Sequence, residues 1–195
     1  MNLPPIQYVD NLIDEHYQDY IYNFLCNQYN PELTFPMWFI KGLTSQEESR
    51  RNYKEMGFTS EFFNSQKGGI NPYSPASIML FYPLFKLIEF NQMVLTNFHQ
   101  GRVFIQLPGK EKAEYEPHHD LNFFHYAAIY YVNDTDGDTL FYDNDKKTII
   151  KRISPKKGRM CFFRGDIYHG ASSTTQNERI IINYNFDSKF INEFN

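Results

Sequence analysis

Cysteine is scarce in this chain, with two in 195 residues. Cys26 and Cys161 stand far apart and form no CxxC pair. That excludes a disulfide-stapled scaffold and a clustered-thiolate metal site, and it implies a reduced compartment with both thiols buried and inert. Long apolar runs are missing as well. No stretch approaches the ~20 residues a membrane helix needs, so no membrane partner is expected. The N-terminus, "MNLPPIQYVDNLIDEHY", lacks a basic start and an apolar core, so no secretory signal is expected and the expected location is cytoplasmic. An excess of basic residues is also absent. The net charge is -4, which argues against a general nucleic-acid partner. Tryptophan occurs once, whereas Phe (19) and Tyr (15) are plentiful and spread through the chain, as in a packed core rather than a stacking platform. The length suits one domain with its own core.

One segment departs from the acidic balance. Residues 145–164, "DKKTIIKRISPKKGRMCFFR", are strongly basic. Lysine on an exposed strand edge blocks edge-to-edge pairing, which is the favoured reading over a docking patch for an acidic partner.

The chain changes character near its middle. Residues about 10–29 place Leu12, Ile13, Tyr17, Tyr20, Ile21, Phe24 and Leu25 at helical spacing, with Asp10 as the expected cap and Asn30-Pro31 as the stop. "LTFPMWFIKG" reads as a short strand. Residues about 41–74 are polar and Gly-interrupted, and long loops of this kind are often functional, so they form a candidate lid carrying Arg50, Arg51, Tyr53 and Tyr73. A second helix is expected from Ser74-Pro75 to about residue 98, kinked or broken at Pro83. From Gly101 onward come "RVFIQLP", "HYAAIYYVN", "DTLFYD", "KTIIKRIS", "GRMCFFRG" and "RIIINYNF", short β-rich runs between turns. The expected fold is mainly β, a jelly-roll barrel at about 99–190, with helical support and the possible lid at about 1–98, in a single domain.

The segment Glu116-Pro117-His118-His119-Asp120 raises the question of a metal site. On extended backbone, residues i and i+2 share a face, so His118 pairs with Asp120 while His119 points elsewhere, to the rim. A two-histidine, one-carboxylate facial site needs a further histidine. His169, in "GDIYHGAS", lies between an aromatic strand and a small-residue turn. His16 and His99 fall in the half expected to be helical, and His125 reads as a packed strand histidine. Ten residues after His169, Arg179 opens the last strand, where a buried guanidinium is suited to gripping a carboxylate through a bidentate pair.

The order of these features resembles the Fe(II)/2-oxoglutarate-dependent dioxygenases, and within them the prolyl 4-hydroxylase branch, including small stand-alone members encoded by tailed phages. "YEPHHD" at 115–120, "IYYVN" at 129–133, "DGDTLFY" at 136–142 and the closing "RIIINYNF" carry the resemblance, which covers about residues 100–187. It implies a double-stranded β-helix in which His118, Asp120 and His169 hold Fe(II), Arg179 pairs with the distal carboxylate of 2-oxoglutarate, and Tyr131 hydrogen-bonds the same group. It implies hydroxylation of a substrate C–H bond with O2, releasing succinate and CO2. Asp120 points to hydroxylation, since halogenating relatives lack that ligand. One departure concerns the strand before "YEPHHD", where the branch has a tyrosine and this chain has Gln106, a possible replacement contact. The substrate is expected to be a prolyl residue of a peptide, or else a small molecule. For a phage-encoded protein the location is the host cytoplasm. Two other readings stay open: a non-catalytic jelly-roll binding or virion module, and a zinc hydrolase using the same ligands, which would have no need of Arg179.

Overall fold

The computed structural model describes residues 5–26, 35–41, 56–70 and 75–191. In chain order they form β1 (Ile6–Val9), α1 (Glu15–Cys26), β2 (Trp38–Lys41), β3 (Met56–Asn64), β4 (Gly69–Ile70), α2 (Tyr82–Phe90), β5 (Met93–Gln106), β6 (Tyr126–Tyr131), β7 (Thr139–Tyr142), β8 (Ile149–Ile153), β9 (Met160–Arg164), β10 (His169–Ala171) and β11 (Arg179–Phe190). The large antiparallel sheet runs β1-β9-β6-β11-β5-β3-β2, with β4 paired to β3, and a small sheet runs β10-β7-β8. Two facing antiparallel sheets, with helices outside the larger one, make the expected jelly roll.

Strand alternation explains how the large sheet buries both faces. On β6 and just past its end, Ala128, Tyr130 and Val132 pack with Ile21, Phe24, Leu84 and Leu87 beneath the helices, while Ala127, Ile129 and Tyr131 pack with Phe141 and Phe163 between the sheets. On β11, Ile180, Ile182, Tyr184 and Phe186 face the helices. The odd-numbered residues, Arg179, Ile181, Asn183 and Asn185, therefore point inward. Direct cross-strand pairing transfers this rule to β5, where Gln106 opposes Arg179, Phe104 opposes Ile181 and Arg102 opposes Asn183. The inward face of three adjacent positions is thus polar or mixed where a barrel core would be apolar.

Several elements differ from expectation. The cap of α1 is Asp14, whose Oδ1 accepts from Tyr17 N at 3.0 Å, while Asp10 instead receives Arg159 Nε at 2.6 Å. The expected stop at Asn30-Pro31 lies outside the described residues. Pro83 sits in the first turn of α2, preceded by a 3-10 turn at Pro75–Phe81. A proline is tolerated there because the first helical N–H groups have no intrahelical partner, so it starts the α-helix and does not kink it. Residues 93–98 are the beginning of β5, not helix, and the N-terminal half supplies β1, β2 and β3 to the main sheet as well as helical support. Of the candidate lid, Met56–Asn64 is a strand hydrogen-bonded to β5. Arg50, Arg51, Tyr53 and Tyr73 lie outside the described residues. Cys26 is exposed, whereas Cys161 is buried, and both thiols are free.

The basic segment is partly paired within the chain. Arg152 pairs with Glu114, Lys156 and Arg159 with Asp10, Lys157 with Asp19 and Arg164 with Asp166. Lys151 and Arg152 lie on β8, which is an edge strand of the small sheet.

Candidate metal centre

The loop entering the barrel places the central residues. His118 forms an antiparallel bridge with His169 of β10, with His118 N donating to His169 O at 2.9 Å and His169 N donating to His118 O at 3.1 Å. The main chain alone therefore brings the two histidines side by side, and their ring centroids stand 4.8 Å apart. Asp120 follows two residues later on the same side. The ligand atoms of His118, Asp120 and His169 all lie within 4.8 Å of one another, and this is the one such grouping of three metal-ligating side chains among the described residues.

Each side chain is oriented for a metal. Nδ1 of His118 lies 3.3 Å from the Glu116 carbonyl and Nδ1 of His169 lies 3.1 Å from the Ile167 carbonyl. A carbonyl can only accept, so both Nδ1 atoms carry the proton and both Nε2 lone pairs are free to coordinate. The Nε2 atoms turn toward Asp120, at 3.9 Å for His118 and 3.6 Å for His169. The Asp120 carboxylate is held from behind: Arg102 Nη2 donates to Oδ1 and Asn183 Nδ2 donates to Oδ2, each at 3.0 Å. Burial by itself pushes the Asp120 carboxyl up, yet the adjoining His169, Arg102 and His118 hold it well below the usual carboxylate range. Burial, with His169 beside it, pushes the His118 imidazole down to about 4. Neutral imidazoles and an ionised carboxylate are the forms that bind a divalent cation. Two histidines and one carboxylate on one side of a cavity also leave coordination positions open, as oxygen-activating iron sites require.

The cavity beyond the triad has a volume of about 310 Å³ and is lined by Arg102, Phe104 and Gln106 of β5, Thr139 of β7, Arg179 and Ile181 of β11, and Tyr115, among others. Arg179 is 4% exposed. Its Nε donates to the Gly137 carbonyl and its Nη2 to Thr139 Oγ1, both at 2.8 Å. No described carboxylate forms an ion pair with it, and burial lowers its guanidinium from the ordinary value. A buried cation with only neutral partners, on the wall of a cavity, is a site built for an anion. Gln106 also lines the cavity and is buried, its Nε2 donating to Tyr115 Oη at 2.7 Å.

Two expectations need revision. Tyr131 does not line the cavity. It lies one layer back, where its hydroxyl donates to Thr139 Oγ1 at 2.6 Å and its ring stands 5.8 Å from the Arg179 guanidinium. Thr139, not Tyr131, presents an oxygen at the wall. His99 is on β5, paired to Asp187 at 2.9 Å, and not in a helix. By contrast, His125 is fully buried in the barrel and outside the triad, and His119 lies at the cavity rim, stacked on Tyr168 with ring centroids 3.9 Å apart. Lys146 covers the opposite face of Tyr168, 4.6 Å from its centroid. Sequence reasoning missed Arg102, Asn183, Thr139 and Tyr115. Only strand register reveals the first two, since each is a polar residue at an inward position opposite the metal loop.

Comparison with known proteins agrees with this geometry. Residues 103–187 match the model of the 2OG-Fe(II) oxygenase superfamily. No curated protein matches the sequence. Among solved structures, an oxidoreductase of the 2OG-Fe(II) oxygenase family from Burkholderia pseudomallei is similar, with TM-score 0.65 and 10% identity, over 94% of this chain and 85% of that one. A prolyl hydroxylase from Trichoplax adhaerens, in complex with a hypoxia inducible factor peptide fragment, aligns with TM-score 0.60 and 16% identity, over 94% and 84%. The viral collagen prolyl hydroxylase of Paramecium Bursaria Chlorella virus-1 aligns with TM-score 0.56 and 13% identity, over 94% and 97%. At these identities the solved structures establish a shared fold. The matched segment, which runs from β5 to β11, is similar to the 2OG-Fe(II) oxygenase superfamily, and it contains all three candidate metal-ligating residues and Arg179.

Proposed function

We propose that this chain is an oxygenase that hydroxylates a C–H bond of a prolyl residue in an extended peptide, with His118, Asp120 and His169 holding the iron. The single observation that carries the site assignment is the pairing of this triad with Arg179, a buried cation without a carboxylate partner at the wall of the same cavity. Arg179 holds the distal carboxylate of 2-oxoglutarate through its remaining donors, with Thr139 and the Gln106-polarised Tyr115 hydroxyl beside it. When bound, iron and cosubstrate supply the oxidising chemistry: 2-oxoglutarate and O2 become succinate and CO2, and one oxygen atom enters the substrate C–H bond. The chain's own part is to orient the ligands, neutralise the cosubstrate and keep the cavity largely closed to water.

Support for a peptide comes from the sheet beyond the cavity. β5, β3 and β2 extend the floor past the small sheet, and Phe104, Thr59 and Trp38 are directly opposed across them. These three therefore share one face. Trp38 is half exposed and lies about 10 Å from Phe104, two strand spacings away. An aromatic shelf leading to a reactive centre suits an extended proline-containing segment. Two of the similar folds are named as prolyl hydroxylases. The test is succinate release by the Fe(II)-loaded protein in the presence of proline-containing peptides, free amino acids and other small molecules. A peptide that raises turnover and gains one oxygen atom by mass spectrometry supports the reading. Stimulation by a small molecule alone, with all peptides inert, rejects the peptide and leaves the oxygenase assignment standing.

A further inference from the structure

Beside Asp120, starting at the cavity wall with Arg102 and Asn183, lies a group of polar atoms that no metal or cosubstrate role accounts for. Asn183 and Asn185 are inward-facing neighbours on β11, two residues apart. Arg102 opposes Asn183, and Gln100 opposes Asn185. On the other side Asn185 opposes Ala127, so His125, two residues earlier with its side chain on the same face, lies diagonal to it. Asn183, Asn185 and His125 are all buried, Asn185 and His125 completely. Arg102 Nε, Asn183 Oδ1, both ends of the Asn185 amide and His125 Nε2 have no hydrogen-bond partner among the described protein groups. The other ends of Arg102 and Asn183 are the two donors that hold Asp120. His125 is fixed in place: its Nδ1 meets the Phe123 carbonyl at 2.8 Å, and a Cβ on Gly165 would come within 2.3 Å of its ring.

Buried polar groups are nearly always satisfied, and five unsatisfied atoms on four neighbouring residues identify a binding site. Their chemistry selects the occupant. Arg102 Nε and the Asn185 amide nitrogen donate, the two Asn oxygens accept, and the imidazole Nε2 adds one further position. A bare anion would satisfy only the donors and a bare cation only the acceptors. Water does both, and it typically makes about three hydrogen bonds in such sites. We propose that Arg102, Asn183, Asn185 and His125 bind a chain of ordered water beside Asp120, running inward from the cavity wall, and that this hydrated seam positions the carboxylate as a metal ligand. The inference rests on the metal assignment above. Asn185 reaches Asp120 only through the seam, so it is a positioning residue.

The test uses the full chain with Co(II) as the metal probe. Asn185→Leu removes both polar ends at similar volume, and Asn185→Ser restores polarity with room for one more water. Partners of metal ligands are commonly worth 10–100-fold in affinity. Asn185→Leu is expected to bind Co(II) at least tenfold more weakly, with a changed visible absorption spectrum, while Asn185→Ser stays within a few-fold of the wild type. A merely structural role would lower the melting temperature of Asn185→Leu and leave Co(II) affinity and spectrum unchanged, which overturns the proposal. Failure of the wild type itself to bind Co(II), or binding that survives His118→Ala, overturns the metal reading and the seam with it. Should Asn185→Leu not fold, a high-resolution crystal structure of the wild type decides. Ordered water bridging Asn185 to Asn183 and Arg102 supports the seam, and direct protein contacts closing these atoms off overturn it.

Discussion

Replacing Arg179 with Met separates cosubstrate binding from metal binding. The guanidinium is buried, and its Nε and Nη2 are spent on Gly137 O and Thr139 Oγ1. These two bonds fix its plane, so the group is preorganised and loses little freedom when an anion arrives. Met fills a similar volume without charge or donors. An incoming carboxylate would then be desolvated without a cationic partner, and truncating one member of a buried charged pair costs about 2–5 kcal/mol. At 1.4 kcal/mol for each factor of ten, the loss in 2-oxoglutarate affinity is on the order of thirty-fold to several thousand-fold. Arg179→Lys keeps the charge but not the fork and is expected to fall between the two. Metal affinity should change little, because Arg179 touches none of the three ligands. The assay is anaerobic titration calorimetry of the metal-loaded protein with 2-oxoglutarate, beside a metal titration of the apo protein. Unchanged 2-oxoglutarate affinity in Arg179→Met, with the fold intact, would refute the reasoning, and so would an equal loss of metal binding.

Further predictions follow from the same geometry. His118→Ala and Asp120→Ala should each abolish Fe(II) binding, whereas His119→Ala, which removes only the ring stacked on Tyr168, should retain it; equal loss in all three folded variants, read by metal analysis, would contradict the triad. His118 titrates near 4 in the folded protein, below the ordinary histidine value of about 6.5. The unfolded chain therefore binds this proton first, and the stability of the metal-free protein should fall as pH drops from about 6.5 through 4. His118→Ala should lack that part of the decline in melting temperature, and parallel profiles would count against it. Gly57→Ala should lower stability by about 1–3 kcal/mol, because its Cβ would stand 2.1 Å from the Ile105 carbonyl oxygen and push β3 off β5; an unchanged denaturation midpoint would show that this contact relaxes freely.

The parts of this protein that were legible in its sequence are those governed by local periodicity. The period-2 runs from Gly101 onward became strands because both faces of the large sheet are buried, so β6 and β11 read as almost continuous apolar segments. His118 and Asp120 were legible because extended backbone puts i and i+2 on one side, and His169 and Arg179 because a histidine after a strand and an arginine opening one have few neighbours of their kind. Elements that depend on distant partners were not. Met56–Asn64 mixes Thr59, Ser60 and Glu61 with aromatics, and only its pairing to β5 makes it a strand. Residues 93–98 look helical beside α2 but are captured by β11. Asp10 and Asp14 are equally plausible caps until Arg159 claims the first. Tyr131 is set apart from the cavity by Thr139, a layering that no one-dimensional pattern encodes. Arg102 and Asn183 hold Asp120 across two strands, and neither lies in a recognisable motif.

The most direct test of the account is succinate formed from 2-oxoglutarate by the purified protein, measured with and without Fe(II) and O2, for the wild type and for Asp120→Ala. The account predicts succinate release that requires both Fe(II) and O2, that is measurable even before a substrate is found, and that is absent from the folded Asp120→Ala variant. No succinate from a folded, iron-loaded wild type, or equal release by Asp120→Ala, would contradict it.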